Sequence, residues 1–97
     1  MIVRLVKMTF RKEEISNFLE LFEEVKTHIR QFKGCHHLEL LQDTHDERVL
    51  FTKSLWESED SLDSYRYSEL FSATWKKTKA MFDEKPFAWS TLVISQI

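Results

Sequence analysis

The sequence predicts an α+β fold in which four strands form one antiparallel sheet with helices packed on one side. Three observations carry that prediction. Strand-length apolar stretches occur at 2–10, 36–42, 48–56 and 87–97. Apolar residues recur at helical spacing between 15 and 32 and again between 62 and 82. A polar run, Asp43 to Glu47, has the length of a hairpin loop between the second and third strands. The order is strand, helix, two strands, helices, strand, in a single domain spanning 1–97 with no linker, low-complexity segment or repeat.

Ile2 to Phe10 is rich in Val, Ile, Met and Phe, and Arg4, Lys7 and Thr9 interrupt it as a strand with two unequal faces requires. Ile15, Phe18, Leu19, Phe22, Val25, Ile29 and Phe32 then form one helical stripe, with Glu20, Glu23 and Glu24 on the other side. Gly34 follows directly and is expected to end this helix, since glycine takes the left-handed conformation without a Cβ clash. Ser58 is expected to cap the next helix, where Glu59 and Asp60 sit in the positive first turn and Leu62 and Tyr65 begin its apolar side. A second cap at Ser68 divides this short helix from a longer one whose stripe is Phe71, Trp75, Thr78 and Phe82. Pro86 is expected to close the helical region. The last strand is then Phe87 to Ile97, with Phe87, Trp89, Thr91 and Val93 alternating against Ala88, Ser90, Leu92 and Ile94.

Neither side of that last strand is strongly polar, although a sheet covered by helices on one face normally leaves its other face wet. A second copy packed sheet to sheet across a two-fold axis would cover it, so a homodimer through the sheets is expected. Small size points the same way, because a chain of 97 residues buries only roughly 65% of its unfolded surface.

Composition removes several function classes. Fourteen basic against sixteen acidic side chains leave a net charge of -2, so no cationic surplus exists to displace counterions from nucleic acid. No apolar run approaches the roughly 20 residues that span a bilayer, and Arg4 and Lys7 interrupt Met1 to Phe10 unlike a signal peptide, so a cytoplasmic protein without a membrane partner is expected. The single cysteine, Cys35, closes no disulfide within the chain and is expected to be a buried, inert thiol. With Gly34 the only glycine, phosphate-cradling loops are excluded.

The strand and helix order, the length, Gly34 and Cys35 before the second strand, and Trp56, Ser58, Leu62, Tyr65, Ser68 and Phe71 together resemble the antibiotic biosynthesis monooxygenase family. The resemblance covers nearly the whole chain. It implies a ferredoxin-like βαββαβ unit in a dimeric α/β barrel, each subunit keeping a pocket between its sheet and its helices. It also implies oxidation of a small aromatic or quinol by dioxygen with no cofactor. Some members of the same fold degrade haem with an asparagine, a tryptophan and a haem-ligating histidine. The matching positions here hold Val6, Tyr65 and Trp75, which disfavours that activity.

Four histidines invite a metal reading, but His36 and His37 point to opposite sides of a strand, His28 lies on a helix and His45 in a loop, so no metal site is expected. His37 and Glu39 do share a strand face, where a carboxylate can orient an imidazole and raise its basicity. If that face lines the pocket, His37 is the catalytic base; a place at the dimer interface is the competing assignment. Tyr65, Trp75, Trp89 and Phe22 offer ring surfaces for a flat ligand, with Glu39 as a polar contact and Tyr65 in the family's functional position on the short helix. Arg4, set in an apolar strand, is expected to pair with Glu39 or with an acidic ligand group. A non-catalytic ligand-binding or regulatory dimer is the alternative to the monooxygenase. An isomerase or dehydratase would need a stronger acid-base set than these residues supply.

Overall fold

The computed structural model describes residues 1–97. Strand β1 (Ile2–Phe10) passes through a 3₁₀ turn at Lys12–Glu14 into helix α1 (Ile15–Arg30). Strands β2 (Cys35–Gln42) and β3 (Val49–Trp56) form a hairpin, and helices α2 (Glu59–Arg66) and α3 (Glu69–Lys79) lead to β4 (Phe82–Leu92). The sheet order is β2-β3-β1-β4 with every neighbouring pair antiparallel, which is the expected α+β, ferredoxin-like βαββαβ arrangement. No helix is long and apolar enough to cross a membrane.

Both expected serine caps form, and each satisfies a backbone donor that the helix leaves free. Ser58 Oγ accepts from the Ser61 amide at 3.2 Å, and Ser68 Oγ accepts from the Phe71 amide at 3.1 Å. The kink between α2 and α3 therefore has a local cause, a helix end at Arg66 and a new cap at Ser68.

The first helix ends at Arg30, earlier than its apolar stripe suggests, and Phe32 lies in the turn beyond it. Gly34 has φ 88° at the end of that turn, where its carbonyl accepts from the Glu57 amide at 2.8 Å. A Cβ there would collide with the Ser61 side chain, so two requirements, backbone conformation and close approach of α2, converge on glycine.

The final strand departs most from expectation. It starts at Phe82, which therefore belongs to β4 and not to the helix stripe, and it runs through Pro86 to Leu92. Proline is tolerated because β4 is an edge strand and its pairing with β1 shifts register between the Lys7–Phe87 and Thr9–Glu84 pairs, so no ladder bond needs the missing N–H. Val93 and Ile94 lie past the strand end in an exposed terminal segment.

Register decides which residues share a face. Arg4 pairs with Ser54 and Ser90, and Val6 with Thr52 and Ala88, so even-numbered residues of β1 and β3, with Ala88 and Ser90 of β4, point towards the helices. A bulge between Cys35 and His37 keeps Cys35 on that side beside Ile2, Trp56 and Leu62, and turns His37 and Glu39 to the other. Two buried clusters form beneath the helices. One contains Ile2, Cys35, Trp56 and Leu62 with Phe32 and Tyr65 packed on it. The other contains Met8, Phe10, Phe18 and Leu50, flanked by Phe22, Trp75 and Phe82 among others.

Candidate functional site

A cavity of about 320 Å³ lies between the helix-facing side of the sheet and all three helices, near the lower end of the range that holds small organic ligands. Its floor is Arg4, Val6, Met8, Thr52, Ser54 and Trp56, which the strand register places side by side. Phe18, Leu21, Phe22 and Val25 of α1 form one wall. Leu62, Tyr65 and Arg66 of α2 and Phe71, Thr74, Trp75 and Thr78 of α3 form the other. Arg66 and Ala88 are the lining residues most open to solvent, which puts the mouth between the end of α2 and strand β4.

Aromatic rings run along the helix layer in one continuous chain of contacts. Tyr65 stacks on Trp56 with centroids 4.9 Å apart and meets Phe32 and Phe71 edge-on at 5.4 and 5.2 Å. Phe71 stacks on Trp75 at 5.7 Å, and the chain continues through Phe82, Phe10 and Phe18 to Phe22. The two buried clusters are thus joined at the level of the cavity by rings that hold one another in place, which favours a flat apolar ligand. Trp56 is the most fixed of them, 1% exposed, with its indole N–H donated to Ser54 Oγ at 2.9 Å.

Polar atoms in the cavity are few. Burial pushes the Tyr65 phenol well above its ordinary pKa, with the Cys35 side chain beside it adding to the effect. Tyr65 therefore stays a neutral hydroxyl and acts as a hydrogen-bond donor. No buried side-chain polar atom lacks a partner, and none of the protein's hydrogen bonds uses the Tyr65 hydroxyl, so that oxygen keeps accessible surface and is free to donate. Arg4 is half-buried and donates to Ser90 Oγ at 3.0 Å, and burial followed by the charge of Arg66 lowers its pKa, with Asp63 opposing. Thr78 is sealed, its hydroxyl donated to the Thr74 carbonyl at 2.8 Å.

Of the residues the sequence singled out, Tyr65, Trp75 and Phe22 are brought together in this cavity, and Val6 lines it too. His37, Glu39 and Trp89 are not. His37 Nε2 lies 3.5 Å from Glu39, so the two do meet, but on the opposite face, where Lys53 Nζ approaches the same carboxylate at 3.7 Å. The condition attached to His37 as a base, that its face line the pocket, is not met within the subunit. Trp89, 47% exposed, stacks on Phe87 at 6.2 Å on that same outer face. Arg4 and Glu39 sit on different faces, so their expected pairing fails. No aspartate, glutamate, histidine, lysine or cysteine lines the cavity.

Sequence reasoning missed Arg66, Ser54 and Thr52 as cavity residues. Thr52 and Ser54 alternate with Phe51, Lys53 and Leu55 along β3, and that alternation is a readable signal once the covered face is known. Cys35 is buried and its thiol pKa is raised by burial, in keeping with an inert side chain. No three His, Cys, Asp or Glu side chains gather anywhere in the chain.

The profile of the antibiotic biosynthesis monooxygenase family matches residues 1–77. Among curated proteins, none matches the chain by sequence. Solved structures resemble it closely in shape. A crystal structure described as an antibiotic biosynthesis monooxygenase superposes with a TM-score of 0.91 at 19% identity, covering 98% of this chain and 100% of the other. A conserved protein from Methanosarcina mazei Go1 gives 0.88 at 20% identity, over 94% and 91% of the two chains. The Mycobacterium tuberculosis protein Rv0793 gives 0.89 at 16% identity, over 98% and 96%. At such identities the likeness is one of fold.

Proposed function

The chain belongs to the antibiotic biosynthesis monooxygenase family, and from that premise we propose that it is a cofactor-independent monooxygenase for a small aromatic or quinol, acting as a homodimer. The observation that carries this reading is the cavity itself, aromatic-walled, set between sheet and helices, with the Tyr65 hydroxyl as a neutral donor on its wall. A reduced hydroxy-polycycle bound there as its anion is electron-rich enough to give an electron to dioxygen. Carbon–oxygen bond formation and loss of water then convert a ring CH₂ to a carbonyl, one oxygen atom entering the product and the other leaving as water. All four electrons come from the substrate.

The protein's part is to bind the ring, to stabilise the anion through donors aimed at it, and to keep bulk water from quenching it. Tyr65 is a positioned donor for the substrate oxygen, and Trp75 and Phe22 hold the ring. No side chain in the cavity is a ready general base, so the proton leaves because the site stabilises the anion, with water as the acceptor.

The dimer is proposed through the outer face of the sheet. Thirteen of 97 residues are buried, a thin core for one subunit. Val3, Leu5, Phe51, Leu55, Leu41, Phe87 and Trp89 share the uncovered face. A second copy would bury them.

The absence of a ready general base in the cavity favours one alternative, a non-catalytic ligand-binding or regulatory dimer. An oxygen electrode separates the two. The monooxygenase consumes oxygen with a naphthohydroquinone or a hydroxyanthrone above the protein-free autoxidation rate and without added cofactor. Binding of several such compounds with no added consumption identifies the ligand-binding module.

A further inference from the structure

The cavity contains one feature that an apolar ligand does not use. Arg4 stands in the middle of strand β1 between Val3 and Leu5, and its side chain lies on the cavity floor beside Val6 and Met8. Placing a guanidinium against apolar surface costs free energy unless an anion compensates it. Arg4 forms no salt bridge within the protein; its one side-chain hydrogen bond goes to Ser90 Oγ at 3.0 Å. A guanidinium has five N–H donors, so most of its capacity is unspent.

Arg66, at the end of α2, lines the same cavity. Its only carboxylate neighbour, Asp63, is 3.8 Å away and half-exposed, a contact too long and too wet to saturate it. Arg4 and Arg66 thus line one cavity, where the charge of Arg66 lowers the Arg4 pKa after burial and Asp63 opposes it. Like charges repel, and such an arrangement gains stability when a ligand anion occupies it.

We infer that the ligand of this cavity is an aromatic acid, whose carboxylate or comparably anionic group is held by Arg4 and Arg66 while its rings lie among Phe22, Tyr65 and Trp75. This deepens the proposed function and rests on the cavity being the substrate site. It also gives the reaction a handle on orientation. The charged group is fixed at the mouth and the remote ring is carried towards the apolar interior. There the reacting carbon is shielded from water.

The test is binding, which is independent of turnover. Isothermal titration compares 2-naphthoate with 2-naphthamide, two flat probes of nearly the same shape that differ in charge. The expected result is naphthoate at least about tenfold tighter, with the preference shrinking as salt rises. Arg4→Gln and Arg66→Gln should each bring the ratio of the two dissociation constants closer to one, and the double variant should abolish it. Equal affinity for the two probes, or a preference that survives in the double variant, overturns the inference. So does a loss of both probes in equal measure, since that reports damaged packing. Charge preference without oxygen consumption would sink the oxygenase and leave the aromatic-acid ligand intact. Oxygen consumption with naphthoate and naphthamide bound alike would do the reverse.

Discussion

On the helix-covered face of the sheet, Val6, Met8, Thr52, Ser54 and Trp56 look into an aromatic-walled cavity that holds no carboxylate, imidazole or thiol. On the opposite face His37, Glu39 and Lys53 form a small polar network at 3.5 and 3.7 Å among exposed or half-exposed apolar side chains. Candidate general bases and enclosure are thus on different sides of one sheet. Acid-base residues in a strand mark a reactive site only where the architecture covers their face. In this fold the covered face offers neutral and cationic donors instead, which suits stabilising an anion better than abstracting a proton.

The largest expected effect breaks the covered side. Trp56 is 1% exposed, stacks on Tyr65 and donates to Ser54, so Trp56→Ala should cost about 3–5 kcal/mol, read as a fall in the denaturant midpoint. A loss under 1 kcal/mol would mean that the cluster beneath α2 is looser than its contacts indicate.

On the uncovered side the corresponding change is Trp89→Asp. It should leave the subunit folded, because Trp89 is half-exposed on the outer face, and should weaken self-association by about 10²-fold or more, since a sheet-to-sheet dimer would bury an unpaired charge. Sedimentation equilibrium reads this directly. A dimer unaffected by Trp89→Asp uses another surface. Val93 and Ile94, which the sequence pattern places in the last strand, lie beyond β4 and would be weaker probes.

A smaller effect is expected at the hairpin loop, which belongs to neither face. Hydrogen bonds from Arg48, first through its side chain and then its backbone amide, hold the Asp46 carboxyl below the ordinary carboxylate range. A carboxyl whose folded pKa is depressed adds stability above its unfolded pKa and loses it as pH falls through the folded value. Asp46→Asn should therefore lower Tm slightly at neutral pH, and the gap to the parent protein should close below about pH 4. A gap that persists in acid would assign the effect to turn geometry alone.

Much of the fold was legible because its signals are local. The two serine caps, the glycine turn and the period-two strands at 2–10 and 49–56 each state their own requirement in adjacent residues. Phe82 and Pro86 were misread because a stripe at helical spacing and a proline both suggest a helix end, while the edge position and register shift that admit proline are properties of the assembled sheet. For the site, Tyr65, Trp75 and Phe22 were readable as rings on apolar stripes, and those stripes do face the core. His37, Glu39 and Trp89 were not assignable in the same way. Alternation shows that His37 and Glu39 share a face, but which face the helices cover depends on the handed crossover of the whole unit.

The claim that the helix-side cavity carries the chemistry is tested most directly by comparing Tyr65→Phe with His37→Ala in oxygen consumption with a hydroxyanthrone. Tyr65→Phe keeps the ring stack and removes the hydroxyl donor of a cavity-lining residue, so kcat should fall by about 10²-fold with the fold intact. His37→Ala, on the far face, should change kcat by less than about twofold under conditions where the dimer persists. The reverse order, with His37→Ala inactive and Tyr65→Phe unimpaired, would contradict the account and move the reaction to the other side of the sheet.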